Sequence, residues 1–450
     1  MKKDNTNSNQ IVEGVIWRQL LIFFFPIAIG TLFQQFYNTV DAVIVGRFLG
    51  KQALASVGGS AAMISSLIIG FFTGLSAGAT VVISQYYGAE DAKNLHSSLH
   101  TAYAISIITS LLTMVIGWIY TPAMLRAMKT PDELMEGSVL YLRIYFLGML
   151  AVLIFNMGSG IMRAIGDSKR PLYYLIVCCF LNIVLDILFV VYLGFGVEGA
   201  AIATVIAQTV SAFLVTWSLM RSYTGLKLIL KDIRLDLHML ISELRIGLPS
   251  GLQAFMYGFT NIVIQTAVNH FGTNTTAAWA AYGKLDAVFW SICSALGLSI
   301  TTFVGQNYGA GRFDRIYKSV RTCLAISLSL CGSLAVFLMV FRRPLFAFFT
   351  TDAGVITLGA DMLITITPFY IVYVFIEIYS GALRGIGDVF IPTIITLAGV
   401  CFIRIPWILF VVPAHNTMDT ILVSYPMAWI TTAVFMVPYY YYRKKKLSSK

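Results

Sequence analysis

The protein has 450 residues, of which 58 % are hydrophobic and only 12 % are charged, and its mean hydropathy is +0.79. A soluble domain has about 25 % charged residues and about 45–50 % apolar ones. The composition therefore excludes a soluble enzyme, a nucleic-acid-binding domain and a disordered chain, and it indicates a polytopic membrane protein.

Twelve apolar segments are long enough to cross a bilayer as helices, which requires about 20 residues each. They are too long and too uniformly apolar for the strands of a transmembrane β-barrel, which have about 10 residues of alternating polarity. We therefore predict an all-α polytopic membrane protein with twelve transmembrane helices. In chain order the predicted spans are 17–40, 53–83, 94–120, 133–156, 172–193, 199–220, 246–269, 277–304, 319–341, 356–380, 392–412 and 418–441.

The basic residues are distributed unevenly between the two sides of these spans. If both termini are cytoplasmic, the inner segments carry 22 of the 31 lysines and arginines and the outer loops carry six. Because basic loops stay in the cytoplasm, we predict a multi-pass protein of the cell membrane with both termini inside. The net charge of +10 is then a signal of topology, and the basic tail at 443–446 should lie against an anionic leaflet.

The two halves of the chain resemble each other in sequence. The segment GIMRAIGD at 160–167 recurs as GALRGIGD at 381–388, and QYYGA at 85–89 recurs as QNYGA at 306–310. Both pairs have the same offset of 221 residues. Each half contains six predicted spans, so the halves run through the membrane in the same direction and should be related by a pseudo-two-fold axis along the membrane normal.

The longest polar break in the chain separates these halves. It covers 221–245 and is predicted to be a cytoplasmic linker. The predicted domains are therefore an N-terminal six-helix lobe at 1–220 and a C-terminal six-helix lobe at 246–450, which ends in the basic tail.

Several segments resemble signatures of the MATE (multidrug and toxic compound extrusion) family. They are NTVDAVIVG at 38–46, NIVLD at 182–186, GAAIAT at 199–204, VGQNYGA at 304–310 and GALRG at 381–385. The resemblance covers nearly the whole chain. It implies two six-helix lobes that face a central cleft, and drug export driven by inward movement of H⁺ or Na⁺.

Most acidic residues lie in loops or near the ends of the predicted spans. Four are exceptions: Asp41, at the boundary of the long apolar first span, and Asp186, Asp286 and Glu377, inside the fifth, eighth and tenth spans. An ionised Asp at the centre of a membrane helix costs about 2.5–3.5 kcal/mol on insertion scales. Such a group therefore faces a cavity, pairs with another charge or takes up a proton.

Polar stripes on three spans accompany the first two carboxylates. Their members are Gln34, Tyr37, Asn38 and Asp41 on the first span, Asn182 and Asp186 on the fifth, and Thr204, Gln208 and Ser211 on the sixth. Hard cations prefer oxygen ligands, and two close carboxylates share a proton readily, so converging stripes would suit Na⁺ or H⁺. The alternative is that these polar groups only join helices through hydrogen bonds.

The family resemblance implies specific roles in the first half. It implies that Asp41, Asn182, Asp186 and Thr204 correspond to the family's cation-coupling site in that lobe. Gln34, Tyr37 and Asn38 are then candidates for the substrate cleft.

The second half lacks the corresponding acids. By the repeat offsets, Asp41 corresponds to Ile264 and Asp186 to Trp407. One branch of the family has acidic cation ligands at two other positions of this half, which are Tyr257 and Tyr373 here. A second cation site is therefore not expected, and both tyrosines become candidates for the substrate cleft.

Glu377 is a further candidate for the substrate cleft. It shares a helical face with Tyr370 and Tyr373, and a carboxylate beside aromatic rings suits organic cations. The alternative is a structural ion pair with Arg384 or Arg404. Lys284 and Asp286, near the outer end of the eighth span, are expected to pair with each other.

Three further patterns concern packing, bending and metals. Gly70, Gly74 and Gly78 are spaced four apart, which favours close contact with another helix. Pro26, which matches Pro249 in the second half, should bend the first span and is a hinge candidate. The pair His96 and His100 lacks the context of a known metal motif, so a polar loop that runs into a helix is favoured over a metal site.

We therefore predict a secondary active multidrug exporter, a cation/drug antiporter of amphiphilic cationic organic compounds. It is predicted to need no cofactor other than the coupling ion, H⁺ or Na⁺, and to interact with small organic substrates and the lipid bilayer, but not with nucleic acid or an obligatory protein partner. Two alternatives remain. A lipid-linked oligosaccharide flippase should have several basic residues in its spans, whereas only Arg143, Lys284 and Arg404 lie away from the span ends. A membrane-embedded enzyme should show a catalytic motif, and none is present.

Overall fold

A computed structural model describes residues 9–221 and 226–448 of the chain. Throughout these residues the secondary structure is helical, with turns between the helices and no strand. Residues 222–225 of the predicted linker lie outside the described part of the chain.

Twelve helical stretches coincide with the twelve predicted spans. They are α1 (Ile16–Phe48), α2 (Gly50–Gly88), α3 (Ala92–Ala127), α4 (Asp132–Leu147 and Met149–Ala164), α5 (Lys169–Tyr192), α6 (Val197–Met220), α7 (Leu237–Asn269), α8 (Thr273–Gly309), α9 (Phe313–Val340), α10 (Ala353–Gly385), α11 (Phe390–His415) and α12 (Met418–Ser448). Of the described helices, ten are long and apolar enough to cross a membrane, and the two parts of α4, bent by 51°, form an eleventh. Helix α7 has sufficient length but is more polar. The predicted all-α polytopic architecture is therefore present.

Helices α5 and α11 are irregular at equivalent places. Helix α5 changes to π-helical geometry over Ile187–Tyr192, directly after Asp186. Helix α11 is π-helical over Ala398–Ile403 and Trp407–Val411, and a short α-helical turn, Arg404–Pro406, lies between these segments. Short π-helical segments inside α-helices frequently mark functional sites.

The sequence repeat is also a repeat of backbone geometry. Gly166 and Gly387 both have positive φ angles, 93° and 83°. In each turn the next residue donates its backbone N–H to a carbonyl five residues back, Asp167 to Met162 and Asp388 to Leu383, at 2.9 Å in both cases. Glycine adopts positive φ without steric cost, which explains why the repeated motif carries glycine at this point.

Contacts divide the chain into two compact units. The first unit is Phe25–Phe255, and the second unit consists of Met1–Phe24 together with Met256–Lys450. Both boundaries fall inside helices, α1 and α7, so these units differ from the predicted lobes in the first part of each helix. The boundary in α1 immediately precedes Pro26.

Within the first unit, the glycine stripe of α2 packs against the start of α7. A Cβ atom on Gly74 would lie 2.5 Å from the backbone nitrogen of Gly251, and one on Gly78 would lie 2.6 Å from that of Gly247. Real Cβ atoms do not approach other atoms so closely. The stripe therefore serves helix packing, as the spacing predicted.

We expect Gly74→Ala to destabilise the protein, because the added methyl group must push two helix backbones apart. Forcing extra atoms into a well-packed contact costs about 1–3 kcal/mol. The midpoint of thermal unfolding of the purified protein in detergent should fall by several degrees. Gly332→Ala is the matched control, since a Cβ atom on this helical glycine of α9 meets nothing within 4 Å. Equal midpoints for the two variants would contradict the packing role.

Candidate functional site

The carboxyl groups of Asp41 and Asp186 lie together in the first unit. Asp41 is half-buried on α1, and Asp186 is fully buried on α5, just before its π-helical segment. The two carboxyl groups are close enough to interact electrostatically. Two carboxylates at such a distance repel each other unless a proton or a metal cation lies between them.

Asn182 and Thr204 lie next to this pair of carboxyl groups. Asn182, one helical turn before Asp186 on α5, donates a hydrogen bond from Nδ2 to Oγ1 of Thr204 on α6 at 3.4 Å. The Thr204 hydroxyl in turn donates to the carbonyl of Ala200 at 3.0 Å. Both side chains are buried, and the structure therefore brings together the four residues of the predicted cation site.

Buried acceptor oxygens are in excess at this site. Oδ1 of Asp41, Oδ1 of Asn182, both carboxyl oxygens of Asp186 and Oε1 of Gln208 are buried and receive no hydrogen bond from the described residues. Buried polar atoms nearly always have a partner, and burying them without one is costly. All five atoms are oxygens that accept, which is the chemistry that a hard cation or an added proton would satisfy.

The predicted stripe on α1 divides into two groups. Gln34 and Asn38 are exposed. Tyr37 is half-buried and lies within electrostatic range of Asp41 and of two tyrosines of α4, Tyr141 and Tyr145. This tyrosine pair was not predicted from the sequence, although its i, i+4 spacing is a recognisable signal.

Tyr141 connects these tyrosines to the acids. Its hydroxyl lies within electrostatic range of both Asp41 and Asp186, and its ring lies 6.2 Å from that of Tyr145 in a stacked arrangement. Both rings are buried. The oxygen-rich site therefore has an aromatic wall from α4.

A further carboxylate of the first unit was not singled out in the sequence. Glu243, near the start of α7, is only 2 % exposed. Its Oε1 accepts a hydrogen bond from the Ser98 hydroxyl at 2.8 Å, while its Oε2 is buried without a described partner. The residue lies in a charged segment, so only the fold reveals its burial.

The histidine pair joins α3 to the linker. His100 forms a hydrogen bond between Nδ1 and the His96 carbonyl at 2.7 Å, and its Nε2 accepts from the Ile229 backbone N–H at 3.0 Å. The Nε2 atom of His96 lies 3.3 Å from Oδ2 of Asp232. The two histidines and Asp232 are close enough to hold a metal ion. However, both ring nitrogens of His100 are already engaged, and the cluster is best explained as a structural connection.

In the second unit, Glu377 lies on α10 among aromatic residues. Its Oε2 accepts a hydrogen bond from the Tyr373 hydroxyl at 3.4 Å. Gly297 on α8 provides the space, since a Cβ atom there would overlap the Glu377 carboxyl group. Among the described residues, neither Arg384 nor Arg404 is within ion-pair distance of Glu377. Arg384 interacts with Glu377 electrostatically at longer range. The direct ion pair that was the alternative explanation of this residue is therefore not formed among the described residues.

The prediction that Lys284 and Asp286 pair with each other is wrong. Asp286 instead accepts hydrogen bonds from Trp290 Nε1 at 2.7 Å and from the Tyr370 hydroxyl. Lys284 is exposed. Residues two apart on a helix point in different directions, so they do not face each other.

Aromatic side chains from α8, α10 and α12 surround these two carboxylates. The ring of Tyr373 lies 4.7 Å from Trp290 and 5.5 Å from Trp429. Phe289 stacks on Tyr370 at 3.8 Å. Trp290 is half-buried, and the other four rings are buried. The arrangement can attract a cationic or aromatic compound through ring faces and the Glu377 charge.

Tyr257 on α7, the other predicted cleft residue of this half, is half-buried near the same cluster. It interacts electrostatically with Glu377 and Arg404 and contacts Tyr373. Apart from this contact with Tyr373, its hydroxyl oxygen is buried without a hydrogen-bond partner in the described part of the chain. The positions that correspond to the two acids of the first half hold Ile264 and Trp407, which provide no carboxylate.

Comparison with known families reproduces the internal repeat. The family model described as MatE matches the chain in two segments, at residues 26–188 and 249–409. Both matches begin at the equivalent prolines, and together they cover most of the chain.

Similar proteins extend over nearly the whole length of the chain. A probable multidrug resistance protein of Bacillus subtilis, YoeA, is 28 % identical over 96 % of this chain and 95 % of its own. A second probable multidrug resistance protein of the same bacterium, YpnP, is 26 % identical over 88 % of each chain.

A solved structure shows the same fold. It is described as the outward-facing conformation of a multidrug resistance MATE family transporter, and it superposes with a TM-score of 0.89, 22 % identity and complete coverage of both chains. This likeness confirms the predicted fold of twelve helices in two six-helix lobes. The chain therefore belongs to the MATE family of membrane transporters.

Proposed function

We propose that this protein is a secondary active exporter that exchanges H⁺ or Na⁺ for amphiphilic organic compounds. The observation that supports this most directly is the group of five buried, unsatisfied acceptor oxygens around Asp41 and Asp186. A transported cation would bind from one side of the membrane and neutralise the site, and it would then be released to the other side. The names of the similar Bacillus proteins support drugs as the exported compounds.

Coupling requires that the ion favours one conformation over another. A bound ion shifts an equilibrium only through different affinities for the two states. Asp41 lies on the same helix as Pro26, which has no N–H and so leaves the carbonyl of Ile22 without its usual helical hydrogen bond. We propose that binding of the coupling cation at Asp41 changes the bend of α1 at Pro26.

The substrate class is proposed from the second unit. Glu377 is a half-buried carboxylate without an ion pair among the described residues, and it lies beside aromatic rings. Such a site favours small organic cations with an aromatic body. No obligatory protein partner is proposed.

The antiport function is tested with purified protein in liposomes that contain ethidium. An imposed pH gradient and an imposed Na⁺ gradient are applied separately, and release of ethidium is measured. We expect one of the two gradients to drive transport well above that in protein-free liposomes. Absence of gradient-dependent transport under both conditions would contradict the proposal.

We also propose that both termini are cytoplasmic, because the basic residues are concentrated in the segments that this orientation places inside. A reporter that is active only in the cytoplasm, fused after Lys450, is expected to be active. The matched control is the same reporter inserted at Lys129, in a predicted outer loop, which should be inactive. The opposite pattern in well-expressed protein would reverse the orientation.

A further inference from the structure

Arg404 is buried in the second unit, and the described residues offer it no counterion. It lies on α11, in the short α-helical turn between two π-helical segments, and is only 3 % exposed. Its Nε and Nη2 atoms are buried and have no hydrogen-bond acceptor among the described residues. A buried charge without a partner costs several kcal/mol even after relaxation, so an arginine at this place needs a reason.

The neighbouring carboxylates are engaged elsewhere. Asp286 receives hydrogen bonds from Trp290 and Tyr370, and Glu377 receives one from Tyr373. No described carboxylate is within ion-pair distance of Arg404. The guanidinium therefore keeps its hydrogen-bonding capacity for a group that does not belong to the described chain.

The surroundings of Arg404 are suited to an aromatic ligand with an anionic group. The guanidinium carbon lies 4.0 Å from the centre of the Tyr425 ring. This contact orients the planar guanidinium group. The Tyr257 hydroxyl is buried and, apart from its contact with Tyr373, has no hydrogen-bond partner among the described residues. It lies within electrostatic range of the guanidinium. Two donors, one charged and one neutral, thus remain available in the same aromatic cluster.

We propose that Arg404 and Tyr257 form an anion-binding subsite that takes the carboxylate of an aromatic compound. Guanidinium and carboxylate groups form short, bidentate, charge-assisted hydrogen bonds. Glu377 interacts electrostatically with Tyr257, so a zwitterionic compound can place its ammonium group near Glu377 and its carboxylate at Arg404. That the bound compound is also exported rests on the function proposed above.

The test compares two probes of similar shape, naphthaleneacetate and its neutral amide, naphthaleneacetamide, in which an NH2 group replaces one carboxylate oxygen. Their binding to the purified protein is measured by quenching of tryptophan fluorescence, since Trp290 and Trp429 lie in this cluster. Wild-type protein should prefer the carboxylate. Arg404→Gln should weaken binding of the carboxylate by about tenfold or more and leave that of the amide within twofold. Arg404→Lys keeps the positive charge but loses the planar guanidinium group. Its affinity for the carboxylate should lie between those of the wild type and Arg404→Gln.

Two further measurements separate the subsite from a structural role. Arg404→Gln removes an uncompensated buried charge, so its thermal unfolding midpoint should be equal to or above that of the wild type. The control Arg143→Gln alters another spanning arginine that lies over an aromatic ring, Trp118, and should leave both probes unaffected. Equal affinity of wild-type protein for both probes, or an equal loss of both in Arg404→Gln, would overturn the proposal. Carboxylate binding without gradient-driven export would instead contradict the proposed function and leave the subsite intact.

Discussion

Asp41→Asn is expected to abolish gradient-driven export while the protein remains folded and still binds substrate. Asparagine keeps the shape of the side chain but removes the negative charge that interacts with the Asp186 carboxyl group. Without this charge, the site should no longer bind and release the coupling cation, and cation binding can then no longer drive the conformational change. Ethidium transport in liposomes should fall to the level of protein-free membranes under both a pH and a Na⁺ gradient.

Asp186→Asn should have the same effect, and the double variant should be little worse than either single one, because residues of one site are not independent. Asp361→Asn is the control, since Asp361 is an exposed carboxylate on α10. Its transport should resemble that of the wild type. If Asp41→Asn exports drug at a near wild-type rate with unchanged ion dependence, the coupling site lies elsewhere.

Glu377→Gln is expected to change substrate preference. The variant keeps the hydrogen-bonding shape at Tyr373 but loses the negative charge beside the aromatic rings. Export of a lipophilic cation should fall by about tenfold, which corresponds to about 1.4 kcal/mol, while export of a neutral compound of similar size should change little. Initial rates in liposomes with matched gradients provide the measurement.

The same variant also tests the ion-pair alternative for Glu377. Because no described arginine lies within ion-pair distance of this carboxylate, the thermal unfolding midpoint should not decrease. Asp286→Asn is a control in the same cluster, and it should lower stability because Asp286 accepts two hydrogen bonds. Equal losses for cationic and neutral substrates, together with a lower unfolding midpoint in Glu377→Gln, would favour a structural role.

Much of the candidate site was predictable because charge inside a membrane span is rare and expensive. Asp41, Asp186 and Glu377 stand out from their apolar surroundings without any knowledge of the fold. Helical spacing then associates Asn182 with Asp186. The proximity of Asp41 and Asp186 was suggested only by family resemblance, since local periodicity says nothing about which distant helices meet.

Other features required the tertiary structure. The burial of Glu243 and Arg404 depends on helices that are remote in sequence, and so does the choice of Trp290 and Tyr370 as partners of Asp286. The π-helical segments had no recognisable signal in the apolar runs of α5 and α11.

The sequence by itself determined the membrane class, the twelve helical spans and the internal repeat, because hydropathy, helical periodicity and repeated motifs are local properties of the chain. Only the tertiary structure decided which polar groups meet and which remain without a partner. A side chain's partners come from other helices, and in a membrane interior they determine whether an acid or an arginine is structural or available to a ligand.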